Sequence, residues 1–469
     1  MTLTSTAAQA ASALRTHLTG SVIEPDHAEY EQARRVWNGM IDLEPALIAR
    51  PASAEGVATA LRVAADHDLP IAVRGGGHNV AGLALIDGGM VIDLSAMREI
   101  DIDPIRRTAR VGGGATWAEV DAATEPFGLV TPGGVVSETG VAGLTLGGGM
   151  GWLRRRFGLT ADNLLGAEVV LADGSIVWTS ATERPELLWG LRGGGGNFGI
   201  VTTFEFALHP VGPEVAFAIV YYPLADAATV LRAHERIVNA DTAGDISTLA
   251  VLGHVPPLDD FDPALHGAPF VAVLAMHAGD VETGIRALQP LRELATPLVD
   301  MSGPMRYVEA QQVFDADYPS GHRYYWKSSR LAALSDEAIA RLAAIIETAP
   351  SGHSTIDLWL NGGAMAAVPA EATAFGARDS AYLLSPEANW EDPADDDANI
   401  AWARAVLDSV AADSTGGSYL NFPGLLEDAE TLVRTSFGGS YERLRELKLA
   451  YDPDNRFRRN QNVAPRTIR

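Results

Sequence analysis

Apolar Val57, Ala60, Leu61 and Ala64 recur at helical spacing, which predicts an amphipathic helix from Ser53 to His67. The run Pro70-Ile71-Ala72-Val73 after it predicts a short strand. Val91 to Leu94 and Thr108 to Val111 read as further strands, and Thr116 to Phe127 as a helix. Glu168 to Leu171 and Ser175 to Trp178 flank Ala172-Asp173-Gly174, a hairpin signal. A helix-like run, Arg184 to Arg192, leads to a strand from Ile200 to Leu208. The pattern is α+β with short strands.

The cluster His209-Pro210-Val211-Gly212-Pro213 breaks this pattern and marks an expected boundary. Beyond it, strand-like runs (Val215 to Tyr222, Phe270 to Met276, His322 to Lys327, Thr355 to Leu360) alternate with helix-like ones (Ala225 to Asn239, Val281 to Leu294, Asp336 to Glu347). That predicts a sheet covered by helices. The tail holds one more expected helix, Asp428 to Leu449. The division expected is therefore 1–212, 213–420 and a C-terminal segment 421–469.

Composition narrows the chemistry. The 469 residues include no cysteine and carry a formal net charge of −25. Disulfides, thiolate metal sites and thiol nucleophiles are excluded. The acidic balance argues against a nucleic-acid partner, which draws on a basic stripe. Met1 to Gly20 does not read as a secretory signal, and no run of about 20 apolar residues predicts a membrane span. A soluble, cytoplasmic monomer or homodimer is the expectation.

Glycine is unevenly spread: 27 of 47 glycines lie between Gly75 and Gly199. Clusters at Gly75–Gly77, Gly112–Gly114, Gly147–Gly149 and Gly193–Gly196 suggest loops whose backbone approaches one large, extended ligand. Gly194-x-Gly196-x-x-Gly199 matches a dinucleotide fingerprint literally, but a helix precedes it and a strand follows. That order is the reverse of a Rossmann unit. Asp395-Asp396-Asp397 lacks the glycine and glutamate spacing of a calcium loop and reads as a solvated acidic turn, so no metal is expected. In Val73-Arg74-Gly75-Gly76-Gly77-His78-Asn79 a strand ends in a turn able to cradle a pyrophosphate. Taken alone, His78 reads as a turn histidine.

These stretches, in order, resemble the vanillyl-alcohol oxidase superfamily, and within it the berberine-bridge-enzyme-like group. The matching residues are Arg74 to Asn79, Val111 to Trp117, Pro132-Gly133-Gly134, Gly140 to Gly151, Arg156 to Leu159, Asp162-Asn163, Leu188-Trp189, Arg192 to Val201 and Asn460-Gln461-Asn462. The resemblance implies a two-domain flavoprotein: a PCMH-type FAD-binding domain, with a module about 41–211, and a substrate domain of antiparallel sheet. FAD is expected between them, its ring facing the sheet.

By position, the resemblance implies that Arg74, Gly75, Gly76, Gly77, His78 and Asn79 wrap the pyrophosphate. Pro132, Gly133, Gly134 and Thr139, with Gly140, Gly143, Leu144, Gly147, Gly148, Gly149, Gly151, Trp152 and Leu153, are expected along the flavin ring and ribityl chain. Gly158 and Asn163 are expected near the adenylate, Ile200 and Val201 at the adenine, and Asn460 and Asn462 closing from the tail. The histidine matching His78 bonds the flavin 8α-carbon in the family; non-covalent FAD beside His78 is the other reading. Some relatives add a cysteinyl bond, and Val136 stands at that position here, so one covalent link is expected.

Ser418-Tyr419-Leu420-Asn421 resembles the family's Tyr-x-Asn element, and strand alternation would put Tyr419 and Asn421 on one face. Tyr419 is either a general base, activated by Lys327 or Arg323, or a residue that shapes the pocket. Tyr325 and Asp357 are further pocket candidates, Asp357 equally a structural acceptor. The implied activity is an oxidase: hydride from a C–H next to O or N of a small organic substrate passes to flavin N5, and O2 accepts the electrons. A dehydrogenase reacting poorly with O2, or a flavin carrier without turnover, are the alternatives.

Overall fold

Ser53 caps the first expected helix: its side chain accepts a hydrogen bond from the Gly56 amide, and the helix runs Ala54–Asp66. A computed structural model describes residues 5–259, 261–376, 378–427 and 429–466. The Ala54–Asp66 helix covers a sheet ordered Gly20–Ile23, Leu47–Pro51, Met90–Asp93, Ile71–Arg74, parallel except at the Gly20–Ile23 edge. Against both packs an N-terminal helix, Ser5–His17, whose Ala7, Ala10 and Leu14 are buried.

The second sheet is antiparallel, ordered Ile100–Asp103, Thr108–Gly112, Ile200–Ala207, Leu164–Val170, Ile176–Ser180. The expected hairpin closes in it, Val170 opposite Ile176. The helix expected at Thr116 to Phe127 is an α-helix, Trp117–Thr124, finished by a 3₁₀ turn whose Pro126 cannot donate to the α-helical ladder.

After Gly212 the chain enters a nine-stranded antiparallel sheet whose main path is Val299–Asp300, Glu214–Pro223, Pro269–His277, Ile246–His254, Thr355–Leu360, Tyr382–Trp390, Arg323–Trp326. Strand alternation sorts its side chains. Ala216, Ala218, Val220, Tyr222 and Tyr325 face one core, which helices Ala227–Ala240, Asp336–Ile346 and Asp396–Ser409 cover. Phe217, Ile219, Tyr324, Trp326 and Trp359 face the other way, toward the glycine-rich half.

Besides short edge pieces, two long strands of this sheet escaped the sequence pattern. Ile246–His254 is buried along nearly its whole length and shows no alternation. Tyr382–Trp390 is interrupted by Pro386, a residue that rarely sits inside a sheet. Its neighbour is split there: Arg323–Trp326 pairs with Glu387 to Trp390, and Ser329–Leu331 with Tyr382 to Leu384. The missing N–H thus falls at a break in the ladder.

The acidic run 395–397 is not a free turn. It starts the helix Asp396–Ser409, where carboxylates favour the N-terminal dipole. Asp396 also takes the Arg323 guanidinium and the Trp390 indole N–H.

The tail helix is split. Gly438-Gly439 interrupts it, leaving Ala429–Phe437 and Tyr441–Tyr451; Asp428, its expected start, lies outside the described residues. Both pieces pack on the glycine-rich half. Lys448 fixes them there: its fully buried ammonium donates to the carbonyls of Asn197 and Phe457, each at 2.8 Å, and pairs with buried Asp452 at 2.7 Å.

Candidate functional site

Three glycine-bearing segments, 75–77, 134–147 and 195–200, and the tail at 457–461 line one cleft that reaches the inner face of the large sheet. The cleft exists because these backbones lack side chains. A Cβ on Gly76 would lie 2.4 Å from the Gly140 amide nitrogen, so the two loops meet backbone to backbone. A Cβ on Gly143 or Gly196 would meet nothing within 4 Å, and both residues line the cleft. Side chains there would fill it.

The lining changes along its length. One end is apolar, with Ile71, Ala72, Val73, Leu94, Ile200, Val201 and Phe457. The middle is backbone amide and glycine, a lining able to approach phosphate oxygens. Asn460 braces it by donating to the Gly196 carbonyl at 2.9 Å, and Arg459 lines it while donating to the Leu85 carbonyl at 2.8 Å. The far end is aromatic, with Trp37, Phe314, Tyr318, Trp326, Trp359, Tyr419 and Phe422, joined by Asp357 and Glu387. An adenine, a diphosphate and a tricyclic ring match these three kinds of lining, so the residues present fit FAD.

His78 lines the cleft beside Trp37, their rings stacked at 5.1 Å and 16°. Burial pushes its pKa down to about 4, so the imidazole is neutral at pH 7. Val136 also lines the cleft.

Tyr419 and Asn421 lie in a turn rather than a strand, and the turn brings them together. The Tyr419 hydroxyl accepts from Asn421 Nδ2 at 2.8 Å and from the Gly149 amide at 3.1 Å. Burial pushes the tyrosine up to about 12. The cations expected to lower it are elsewhere. Arg323 is held by Asp396, and Lys327 faces Glu427 at 3.7 Å.

Tyr325 points to the opposite face of the sheet, because it alternates with Tyr324 and Trp326. There its hydroxyl donates to Glu427 at 2.6 Å. Tyr325 and Lys327 are therefore outside the cleft.

Of the expected ligand-binding residues, Gly75 to Asn79, Gly134, Thr139, Gly140, Gly143, Leu144, Gly147, Ile200, Val201 and Asn460 line the cleft. Others stand behind its wall. Arg74 pairs with buried Asp93 at 2.6 Å and shapes the turn from below. Pro132, Gly148, Gly149, Gly151 and Leu153 lie beneath the lining, with Gly133 against Trp117. Trp152 stacks on Phe314 and meets Phe217 edge to face. Gly158 makes a left-handed turn, and Asn163 secures it by donating to the carbonyls of Phe157 and Leu159 at 2.9 and 2.8 Å. Asn462 is outside the lining, where Gln461 takes the expected tail position.

Sequence reasoning missed Trp37, Tyr318, Trp326, Trp359 and Glu387. Choosing the face of 323–326 from Trp326 instead of Tyr325 would have found one wall. Pro386 concealed the strand that carries Glu387.

Models of two protein families match the two ends of the chain that build the cleft: an FAD binding domain over residues 45–180 and a berberine and berberine-like model over residues 418–464. An uncharacterized FAD-linked oxidoreductase of Bacillus subtilis (strain 168), YgaK, is 30% identical, with 96% of this chain and 98% of that protein covered. The (R)-6-hydroxynicotine oxidase of Paenarthrobacter nicotinovorans is 32% identical, over 96% and 97%. The crystal structure of 6-hydroxy-D-nicotine oxidase from Arthrobacter nicotinovorans superposes with a TM-score of 0.85 at 29% identity, over 96% and 98%. A glycine-walled cleft of FAD-like zoning and likeness along nearly the whole chain agree: the chain belongs to the berberine-like family of FAD-linked oxidoreductases.

Proposed function

We propose that the protein is an FAD-dependent oxidase of small organic molecules, with a single histidyl attachment of the flavin and Tyr419 presenting a proton to the substrate. FAD bound in the cleft supplies a two-electron acceptor that takes hydride from a C–H next to oxygen or nitrogen and passes the electrons to O2, giving H2O2. The observation that carries the reading is the cleft itself, which combines the apolar, glycine-walled and aromatic linings that the parts of FAD need.

The chain's own residues divide the work. His78 is neutral at pH 7 and lies at the aromatic end, as a nucleophile toward the flavin methyl carbon must. With no cysteine in the chain, a second thioether link cannot form. Asn421 and the Gly149 amide hold the Tyr419 oxygen, with the Met150 amide also turned toward it, and burial keeps the hydroxyl protonated. Its own O–H is left to donate, so Tyr419 orients a substrate oxygen or nitrogen rather than removing a proton. The segments 1–212, 213–420 and 421–469 then act as cofactor half, substrate half and returning tail. The protein reduced with dithionite and exposed to air should reoxidise within seconds with release of H2O2. Reoxidation over many minutes would favour a dehydrogenase.

A further inference from the structure

The wall facing the glycine loops carries two carboxylates that the roles above leave unused. Asp357 and Glu387 stand on neighbouring strands. Thr355 pairs with Glu387 and Asp357 with Ser385, which makes the two acids diagonal neighbours on one face. Each is 2% exposed, and both line the cleft.

Their hydrogen bonds are few. Asp357 accepts from Thr355 Oγ1 at 2.8 Å, and Glu387 from the Tyr318 hydroxyl at 2.7 Å and Ser385 Oγ at 3.3 Å. Asp317 adds further negative potential. Among the described residues no lysine, arginine or histidine forms an ion pair with Asp357 or Glu387, and no positive side chain contributes to their electrostatics. Carboxylates buried this way hold protons: burial pushes Asp357 up to about 7, and Glu387 is raised as well.

Such a pair is costly unless something positive completes it. The surrounding wall suits an apolar body. Trp37, Trp326, Trp359 and Phe314 line the same cleft, a broad aromatic surface for the uncharged part of a ligand to pack on. The Trp359 indole N–H is buried without a hydrogen-bond partner and adds a donor to the wall for an acceptor on the ligand's body.

We propose that the Asp357–Glu387 wall is a receptor for an organic ammonium, which makes the substrate of this oxidase a small amine with an apolar or aromatic body. The inference rests on the oxidase reading above and adds the substrate class. On binding, the ammonium replaces the proton the pair holds and donates its N–H bonds or packs its methyl groups there. A neutral alcohol or sugar would leave the pair as it was.

The test is a titration of the flavin-loaded protein with three ligands that lack an oxidisable carbinol or amine C–H in the reactive position: benzyltrimethylammonium, its neutral near-isostere 2-methyl-1-phenyl-2-propanol, and phenylacetate. Binding is read from the perturbed flavin absorbance. The ammonium should bind at least about tenfold more tightly than the neutral alcohol, and phenylacetate least. Asp357→Asn and Glu387→Gln should each remove most of that preference while the alcohol's affinity moves less than about twofold. Where a variant loses its flavin, the wild-type series decides alone. Equal affinity for ammonium and alcohol, or preference for phenylacetate, overturns the amine assignment. If the protein then still forms H2O2 with alcohols or sugars, the oxidase reading survives; with no H2O2 from any amine, alcohol or sugar, the oxidase reading fails.

Discussion

The Tyr419 hydroxyl accepts a hydrogen bond from Asn421 Nδ2 at 2.8 Å, two residues along the same turn. That bond and the one from the Gly149 amide fix the direction of the remaining O–H. Tyr419→Phe should keep bound flavin and lower kcat by roughly 10²-fold, the usual cost of losing one preorganised donor. The Tyr419 proton stays on up to about pH 12. The pH profile of kcat/KM should therefore keep its shape in Tyr419→Phe between pH 6 and 10. A basic limb that vanishes in this variant would show that Tyr419 titrates during turnover.

His78 answers to a simpler measurement. Acid precipitation of the native protein should leave yellow colour in the pellet, and His78→Ala should release it to the supernatant. The depressed pKa also has a sign in stability. The unfolded histidine takes up its proton near pH 6.5, the folded one only near 4. Its contribution to flavin-free stability is complete above pH 6.5 and is lost as the pH falls toward 4. The melting temperature of His78→Ala should depend less steeply on pH across that window.

Asp121 runs the other way. It is 2% exposed, accepts only from Gln311 Nε2 at 3.3 Å, and burial pushes it up to about 7. Folding disfavours its charge, so its penalty grows as pH rises from about 4 to 7 and is full above that. Asp121→Asn should stabilise the protein by about 2 kcal/mol at pH 8 and much less at pH 5, read from denaturant midpoints.

Glu427 latches the turn that carries Tyr419. It takes the Tyr325 hydroxyl and the Arg404 guanidinium, both at 2.6 Å, and these partners with Lys327 pull its pKa down to about 2. Glu427→Ala should raise KM more than it lowers kcat and speed proteolysis within 418–427. Tyr325→Phe, which keeps the Arg404 pair, should have a smaller effect on both.

Lys448→Met removes one partner of a buried ion pair. It should cost about 3–5 kcal/mol and weaken flavin retention, because the same ammonium holds Asn197 beside the cleft. Unchanged retention would mean the tail is held by its apolar contacts alone.

What the sequence made legible follows from which residues admit no substitute. Glycines 76, 140, 143 and 196 mark the cleft because a Cβ would collide or fill it, so their clustering was visible as a single ligand path. The helix capped by Ser53 and the hairpin at Asp173 were readable for the same local reason. The acidic wall was only half legible: Asp357 stood out as a carboxylate among apolar strand residues, Glu387 did not. Glu387 lies beyond Pro386 in a strand whose pairing depends on a break in another strand 60 residues earlier in the chain, between Trp326 and Ser329. Tyr325 and Trp326 are equally aromatic, and only the helices behind the sheet decide which of them faces inward. Tyr419 and Asn421 meet through a turn that no period of two describes.

The chain contains only two lysines, Lys327 and Lys448. The ammonium of Lys448 is sealed in the tail, with no side-chain exposure, while Lys327 is 23% exposed and faces Glu427 in the latch. Acylating reagents selective for lysine therefore find one side chain, and it sits where the Tyr419 turn is fastened. A fluorophore attached there would report the opening of that turn during turnover, with no engineered cysteine needed.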